Sequence, residues 1–311
     1  MDGMQRASLK HKKWRRYKEV SIPWAHYDAC RLSECKRILD LRNLFFELDR
    51  PVQRREFKLS NLVVLLLLKT MFGIPYRTLA SATKDLKIYQ VLGLKRAPCY
   101  KTIQKTMDYL DEKLLIKINK LLVPNCVTLA GVDSSGIKTN RKGAWVQIIL
   151  KRPARRLDFK KIHIFVDLES KKILYSLLTK GKTYDAPHLR TILKQCSWVK
   201  FEIILGDGAY DSRGCFNDIA KHKAVPGIPV RKNASRLSLG SPTRRKAVIE
   251  QHEDYKKWKL KVNYSMRCVV ECIFSGAKRR FGEYLFSVKE RFRRVEMWLR
   301  TILWNVLIYP R

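Results

Sequence analysis

Three carboxylates and a row of cations carry the chemistry this sequence offers. Asp133 ends the run VTLAGVD (127–133), and Asp207 ends EIILGD (202–207). Each is followed by small residues, Ser134-Ser135-Gly136 in one case and Gly208-Ala209 in the other. An acid at the C-terminal end of a strand, before a tight loop, is where α/β sheets place functional groups. An Asp that begins a turn or caps a helix has the same local look. The third acid, Glu271, lies in YSMRCVVECIFSGAKRR (264–280), which reads as a helix. At about 100° per residue, Arg267, Glu271 and Lys278 fall at roughly 300°, 340° and 320° from Tyr264, so all four share an arc of about 60°. Val269, Val270, Ile273 and Ala277 point the other way. Taken alone, the stripe also fits a solvated face with an i,i+4 Arg–Glu pair. Three converging carboxylates repel one another unless cations lie between them. Their hard oxygens suit Mg²⁺ or Mn²⁺, which also bind phosphate oxygens.

The elements that must position these groups follow from the apolar pattern. VTLAGVD, IHIFVD (162–167), KILYSLL (172–178) and EIILGD are short runs rich in β-branched residues and read as strands. Residues 187–196 form a helical stretch between the third and fourth. Ser212 caps a helix to about residue 222, and AVPGIPV (224–230) suggests a fifth, short strand. Residues 231–260 are polar and basic with little periodicity, which predicts an insertion or a DNA-facing loop. A last helix follows over residues 295–307, with Val295, Trp298, Leu299, Ile302 and Val306 on one face. Asp211 is expected to cap the helix after Asp207, and Asp167 and His163 to be structural.

The region before the strands is helical. Ser60 is a candidate N-cap for a helix from Asn61 to about Met71, ended by Gly73. Short helices are expected near residues 74–81 and 85–92, the second stopped by Gly93. Ile103, Met107, Leu110, Leu114 and Ile118 then step by four, three, four and four, the pattern of one long amphipathic helix. Two short helices feeding a longer one suit a helix-turn-helix module. Tyr100, Lys101, Gln104 and Lys105 lie early on its last helix, where base-edge and phosphate contacts are made. A helical bundle with a solvated face fits the same pattern. Residues 1–57 form a basic arm, with Trp14, Tyr17 and Trp24 among the cations.

The charge narrows the partner. Of 311 residues, 65 are Lys or Arg and 28 Asp or Glu, a formal net charge of +37. Such a field attracts polyanions, DNA or RNA before all others, with a membrane surface second. Hydrophobic residues make up 46%, ordinary for a folded protein. The longest apolar run, Leu62 to Leu68, is too short to span a bilayer and reads as a buried helix. The basic N-terminus lacks the apolar stretch of a signal peptide, so a cytoplasmic, nucleoid-associated location is expected. The eight cysteines are scattered and read mostly as small buried hydrophobes. His26, Cys30 and Cys35 lack a fourth ligand for zinc.

GVDSSGIK (131–138), IHIFVDLESKKILYSLLTKGKTYDAPHL (162–189) and LGDGAYDS (205–212), in that order, resemble the DDE transposase domain of bacterial and archaeal insertion sequences. Tyr264, Arg267, Glu271 and Lys278 match, in identity and in all three spacings, the Y-R-E-K signature of one large transposase group. The resemblance covers residues 125–311, and 58–122 is similar, less specifically, to the DNA-binding half of such proteins.

The resemblance implies an α/β, ribonuclease-H-like mixed five-stranded sheet flanked by helices in 123–311, with a basic insertion at about 231–260. An all-α, helix-turn-helix-like DNA-binding domain at 58–122 would precede it. By resemblance, Asp133 would bridge two Mg²⁺ ions, with Mn²⁺ an alternative, and Asp207 and Glu271 would hold one each. Arg267, Lys278, Arg279 and Arg280 would contact phosphate, and Tyr264 the terminal nucleotides. Trp145 is a further candidate for DNA contact, with core packing the other reading. Asp185 and His188 fit the family's pattern without an assigned chemistry. The implied partners are double-stranded DNA, as transposon ends and target, and a second copy of the chain on paired ends. A metal-dependent nuclease without strand transfer and a transposase-derived regulator are the alternatives.

Overall fold

The structure, a computed structural model, describes residues 37–49, 56–139, 159–237 and 239–308. Most of the basic arm, the candidate zinc ligands His26, Cys30 and Cys35, and Trp145 lie outside the described residues.

A 3-10 helix, Leu41–Asp49, leads to α1, Leu59–Phe72. Leu62 through Leu68 are buried on every side of α1, as expected of an apolar run too short for a membrane. Gly73 stops it in the left-handed region at φ 64°. Ser60 is not the cap: it lies in the first turn, and both its N–H and its hydroxyl donate to Asp49, at 3.0 and 2.6 Å. Helices α2 (Tyr76–Asp85), α3 (Ile88–Val91) and α4 (Tyr100–Lys105) follow.

The single long helix expected over residues 103–118 is broken. After α4 and a 3-10 turn, Thr106–Tyr109, Leu110 is extended, and α5 runs over Glu112–Lys120. Asp111 restarts the helix by accepting the Leu114 N–H at 2.7 Å. Ile103, Met107, Leu110 and Ile118 are buried across the break, so the apolar spacing held while the axis did not.

Strands β1 (Cys126–Lys138), β2 (Phe159–Asp167) and β3 (Ile173–Lys180) form an antiparallel meander. Helix α6 (Ala186–Gln195) crosses to β4 (Lys200–Leu205), and α7 (Arg213–Lys221) to β5 (Val225–Gly227), both parallel additions beside β1. The order β3-β2-β1-β4-β5 is the ribonuclease-H-like arrangement, with β1 next to β4.

Residues 231–260 are not the unstructured insertion expected. They hold α8 (Pro242–Glu253) and α9 (Tyr255–Lys261), capped by Ser241 and Asp254. Their buried faces are short and partly polar, Ala247, Val248, Gln251 and Trp258, which hides the period from a sequence reading. A 3-10 turn, Tyr264–Arg267, opens into α10 (Cys268–Phe281), and α11 (Glu290–Leu307) closes the described fold.

The sheet has two covered faces. Leu129, Leu205, Trp258, Val262, Val270 and Ile273 pack between it and α9 and α10. The other core takes Ala130, Val132 and Ile204 from the opposite face, with residues of α6 and α7, and continues into α1, α5 and α11. Of the described cysteines, only Cys196 and Cys215 are buried. Cys99, Cys126, Cys268 and Cys272 are exposed, against the expectation of mostly buried thiols.

Candidate active site

Side-chain alternation sets where the two aspartates point. Gly131 pairs with Leu205 in the parallel β1–β4 ladder. Two residues further along each chain stand Asp133 and Asp207. Alternation gives them the face of Leu129 and Leu205, the one that α10 covers. The approach of α10 depends on Gly131: a Cβ there would lie 2.6 Å from Val270 Cγ2 and 2.8 Å from Leu168 Cδ2. Val270 is buried against the sheet, so Glu271, the next residue, leaves at the rim above Asp133.

Asp133 is largely shielded, with 17% of its side chain exposed. The Ser134 N–H donates to its Oδ1 at 2.7 Å, and Arg267 Nη1 to its Oδ2 at 3.3 Å. Burial lifts its pKa above the ordinary carboxylate value. The charges of Asp207 and Glu271 add to the lift, while the Ser134 N–H and the Arg267 charge oppose it. The charges of the other two acids therefore reach Asp133. Asp207 accepts the Ala209 N–H at 3.0 Å and caps the turn Gly208–Tyr210, the turn-capping role the sequence allowed. Glu271 accepts from Arg267 Nη2, the i,i+4 pair legible in the sequence. The same guanidinium thus joins the strand acid to the helix acid.

The rest of the stripe faces the same way. Lys278 Nζ donates to Ser135 Oγ at 2.7 Å, tying α10 to the segment after Asp133. The Tyr264 hydroxyl donates to the carbonyl of Gly206, beside Asp207, at 3.4 Å. Its ring lies 5.4 Å from that of Trp258 on α9. Asp133, Ser134, Ser135, Glu271, Phe274, Ser275 and Lys278 line an open cleft. Arg279 and Arg280 are exposed in the last turn of α10. At about 100° per residue they stand roughly 80° and 180° round the axis from Glu271, so they leave the stripe. Tyr100, Lys101, Gln104 and Lys105 stand on α4, away from the carboxylate cluster. Ile103 is buried, Lys101, Gln104 and Lys105 are exposed, and Arg77 stacks over the Tyr100 ring at 5.1 Å.

Among the described residues no three acids, histidines or cysteines stand grouped as a finished metal site. Arg267 pairs with both Asp133 and Glu271 and lies between them. The donor set still fits a hard divalent cation. It offers carboxylate oxygens, and burial, helped by the charges of Asp207 and Glu271, raises the pKa of Asp133, so a cation there would favour its charged form.

Two features were not legible in the sequence. Asp211 does not cap α7, a role taken by Ser212. Its fully buried carboxylate instead accepts Arg244 Nε at 2.8 Å, Arg244 Nη2 at 3.0 Å and the Arg231 N–H at 3.0 Å. The second is a polar group under the opposite face of the sheet. His163 is wholly buried, 3.6 Å from Asp185 through Nδ1, 2.9 Å from Thr179 Oγ1 through Nε2 and 4.8 Å from the His188 ring. Burial pulls its pKa down to about 4, so the ring is neutral. Lys161 pairs with Asp185 at 2.7 Å.

Compared with known proteins, residues 128–306 match the family model described as a transposase DDE domain. That span contains Asp133, Asp207 and Glu271. Among solved structures the chain is similar to a piggyBac transposase synaptic complex with hairpin DNA, at 10% identity and a TM-score of 0.44, over 89% of this chain and 72% of that one. It is also similar to a Mos1 transposase paired-end complex with the left transposon end, at 11% identity and a TM-score of 0.24, over 76% of this chain and 82% of that one. A Mos1 mariner paired-end complex with Mn matches at 13% identity and a TM-score of 0.23, over 82% of this chain and 90% of that one. These similarities are slight, and the fold stands on the strand order given above.

Proposed function

This chain belongs to the family of transposases with a DDE domain, and from that premise we propose that it serves an insertion sequence. It binds the element's terminal inverted repeats, cleaves the DNA at those ends and joins them to target DNA. What supports this reading is that Arg267 pairs with both Asp133 and Glu271, that the charges of Asp207 and Glu271 bear on Asp133, and that Lys278 reaches Ser135 beside it.

DDE transposases use divalent metal ions, and here Asp133, Asp207 and Glu271 would hold them, Mg²⁺ first and Mn²⁺ as a substitute. Bound ions supply charge for the attacking and leaving oxygens of an in-line displacement at phosphorus. The chain's own groups do the rest. In cleavage, a water oxygen bonds to phosphorus, the bond to the 3′ oxygen breaks, and the water proton passes to solvent. In joining, the freed 3′-hydroxyl is the nucleophile and a target 3′ oxygen leaves, so one site serves both steps. Arg267 and Lys278 bind phosphate oxygens flanking the scissile bond. The Tyr264 ring stacks on a terminal base. The exposed side of α4, with Lys101, Gln104 and Lys105, takes the duplex away from the cut, and Tyr100 supports it under Arg77. Arg279 and Arg280, off the stripe, add to the positive charge around the end of α10. The net charge of +37 and the DNA in the piggyBac and Mos1 complexes favour duplex DNA as the partner. Two copies of the chain on two paired ends are the working unit, in a cytoplasmic, nucleoid-associated setting.

The test uses purified protein, Mg²⁺ and a plasmid carrying the element with its flanking ends. Nicks at the ends and a joined product are expected. Asp133→Asn, Asp207→Asn and Glu271→Gln should each lower both rates by roughly a thousandfold, or about 4 kcal/mol, with DNA binding retained. Cleavage without joining would favour the nuclease reading. Undiminished DNA function in the three variants would favour a regulator.

A further inference from the structure

Arg267 stands between two of the three acids. Nη1 reaches Asp133 and Nη2 reaches Glu271, so one guanidinium bridges a largely shielded carboxylate and an exposed one. Two of the oxygens that a hard cation would take are engaged by an existing positive charge. A divalent ion arriving here meets a cation already in place and must displace or crowd it.

We propose that Arg267 is a charge placeholder that couples metal binding to DNA binding. The inference rests on the reading of Asp133, Asp207 and Glu271 as the metal-holding acids. Without DNA, the guanidinium neutralises Asp133 and Glu271 and keeps divalent ions weakly bound. A DNA phosphate at the cleft competes for the same guanidinium, because planar bidentate pairing with phosphate suits Arg as well as carboxylate does. The mouth of the bridge is the part that opens. Glu271 is 58% exposed and Arg267 23%, and exposed i,i+4 ion pairs are weakly held. Once Arg267 turns to the phosphate, Asp133 and Glu271 are released to the ions. Linkage makes the effect reciprocal, so DNA tightens metal binding by the factor by which metal tightens DNA binding. Metal-dependent cleavage is thereby withheld until a strand lies in the cleft.

The experiment measures Mn²⁺ binding by the loss of the free-ion electron paramagnetic resonance signal. It is run on the full chain at fixed salt, with Mn²⁺ alone and again with a short duplex carrying the element's end. In the wild type, DNA should tighten Mn²⁺ binding about tenfold, within the roughly 5- to 150-fold range of such couplings. Arg267→Gln should bind Mn²⁺ about tenfold more tightly than wild type without DNA, and should lose most of the DNA-induced gain. Arg267→Lys, which keeps the charge, should stay near wild type without DNA. Thermal unfolding in chelator checks that each variant is folded. If Arg267→Gln does not fold, Arg267→Met, which keeps the side-chain length without the charge, takes its place with the same two expectations. An Arg267→Gln affinity for Mn²⁺ alone no better than wild type would overturn it, as would no coupling in the wild type. Asp133→Asn separates the two levels. It should abolish Mn²⁺ binding in the wild-type and Arg267→Gln backgrounds, and if it does not, the acid assignment has failed rather than the coupling.

Discussion

Gly131→Ala tests how the third carboxylate is placed. The added Cβ would lie 2.6 Å from Val270 Cγ2 and 2.8 Å from Leu168 Cδ2, where ordinary contact begins at 3.4 Å. Both neighbours are fully buried, so neither can swing into solvent. Relief requires α10 to lift from β1 by roughly 1 Å, and Glu271 moves with it. Overpacking of this kind costs about 1–3 kcal/mol of stability. A 1 Å misplacement of a reacting group costs roughly a hundredfold in rate. Urea denaturation reads the first effect and nicking of an end-containing plasmid the second. The double variant Gly131→Ala, Val270→Ala removes the clash with α10 and leaves the one with Leu168, so it should recover much of the rate but not all of the stability. A Gly131→Ala protein that cleaves at the wild-type rate would refute the reasoning. So would a double variant no faster than the single one.

Three further outcomes follow from the same contacts. Arg244→Ala leaves the wholly buried Asp211 carboxylate without its guanidinium and should cost about 3–5 kcal/mol by urea denaturation. Burial lowers the folded-state pKa of His163 to about 4 from the ordinary value of 6.5. The unfolded chain therefore takes up a proton there first, and stability present above pH 6.5 should fall as pH drops from 6.5 to 4, by at most about 3 kcal/mol. Replacing His163 with Gln should flatten that slope in unfolding curves taken across the window. Asp133 has a raised pKa, so its charged form opposes folding, and the opposition grows as pH rises through that raised value. Asp133→Asn should accordingly raise the melting temperature at neutral pH in chelator, while cleavage is lost; a lower melting temperature would contradict this.

Much of the site was legible because its parts are local. Strand-end position marked Asp207, whereas Asp133 lies inside β1, which continues through Ser134, Ser135 and Gly136 to Lys138 where the sequence suggested a tight loop. Helical phase gathered Tyr264, Arg267, Glu271 and Lys278, whose contacts reach β1 and the end of β4. The Arg267–Glu271 pair, four residues apart, could be read directly. The Arg267–Asp133 contact spans 134 residues and could not. The same limit hid Asp211 with Arg244 and His163 with Asp185, joined only by the fold. Helix α5 was misjudged for another reason. Apolar spacing is the same whether one helix continues or two short ones share a buried side, and only the Asp111 cap distinguishes them. In α8 the buried face includes Gln251, whose amide donates to the Ile228 carbonyl and accepts the Val230 N–H, so a polar residue does a core residue's work.

The packing of α1 sets a timetable for synthesis. Leu62 to Leu68 find cover in a core that includes Val295, Trp298, Leu299 and Ile302 of α11, more than two hundred residues later in the chain. At about 5–20 residues per second, a ribosome takes on the order of tens of seconds to make that span. Throughout that interval the most apolar helix of the molecule is out of the ribosome without its final neighbour. Nascent chains of this protein are therefore natural clients for chaperones that hold exposed apolar helices. A message that stops before α11 releases a chain in which the side of α1 that α11 covers is bare, and such a fragment is expected to be prone to aggregation or proteolysis.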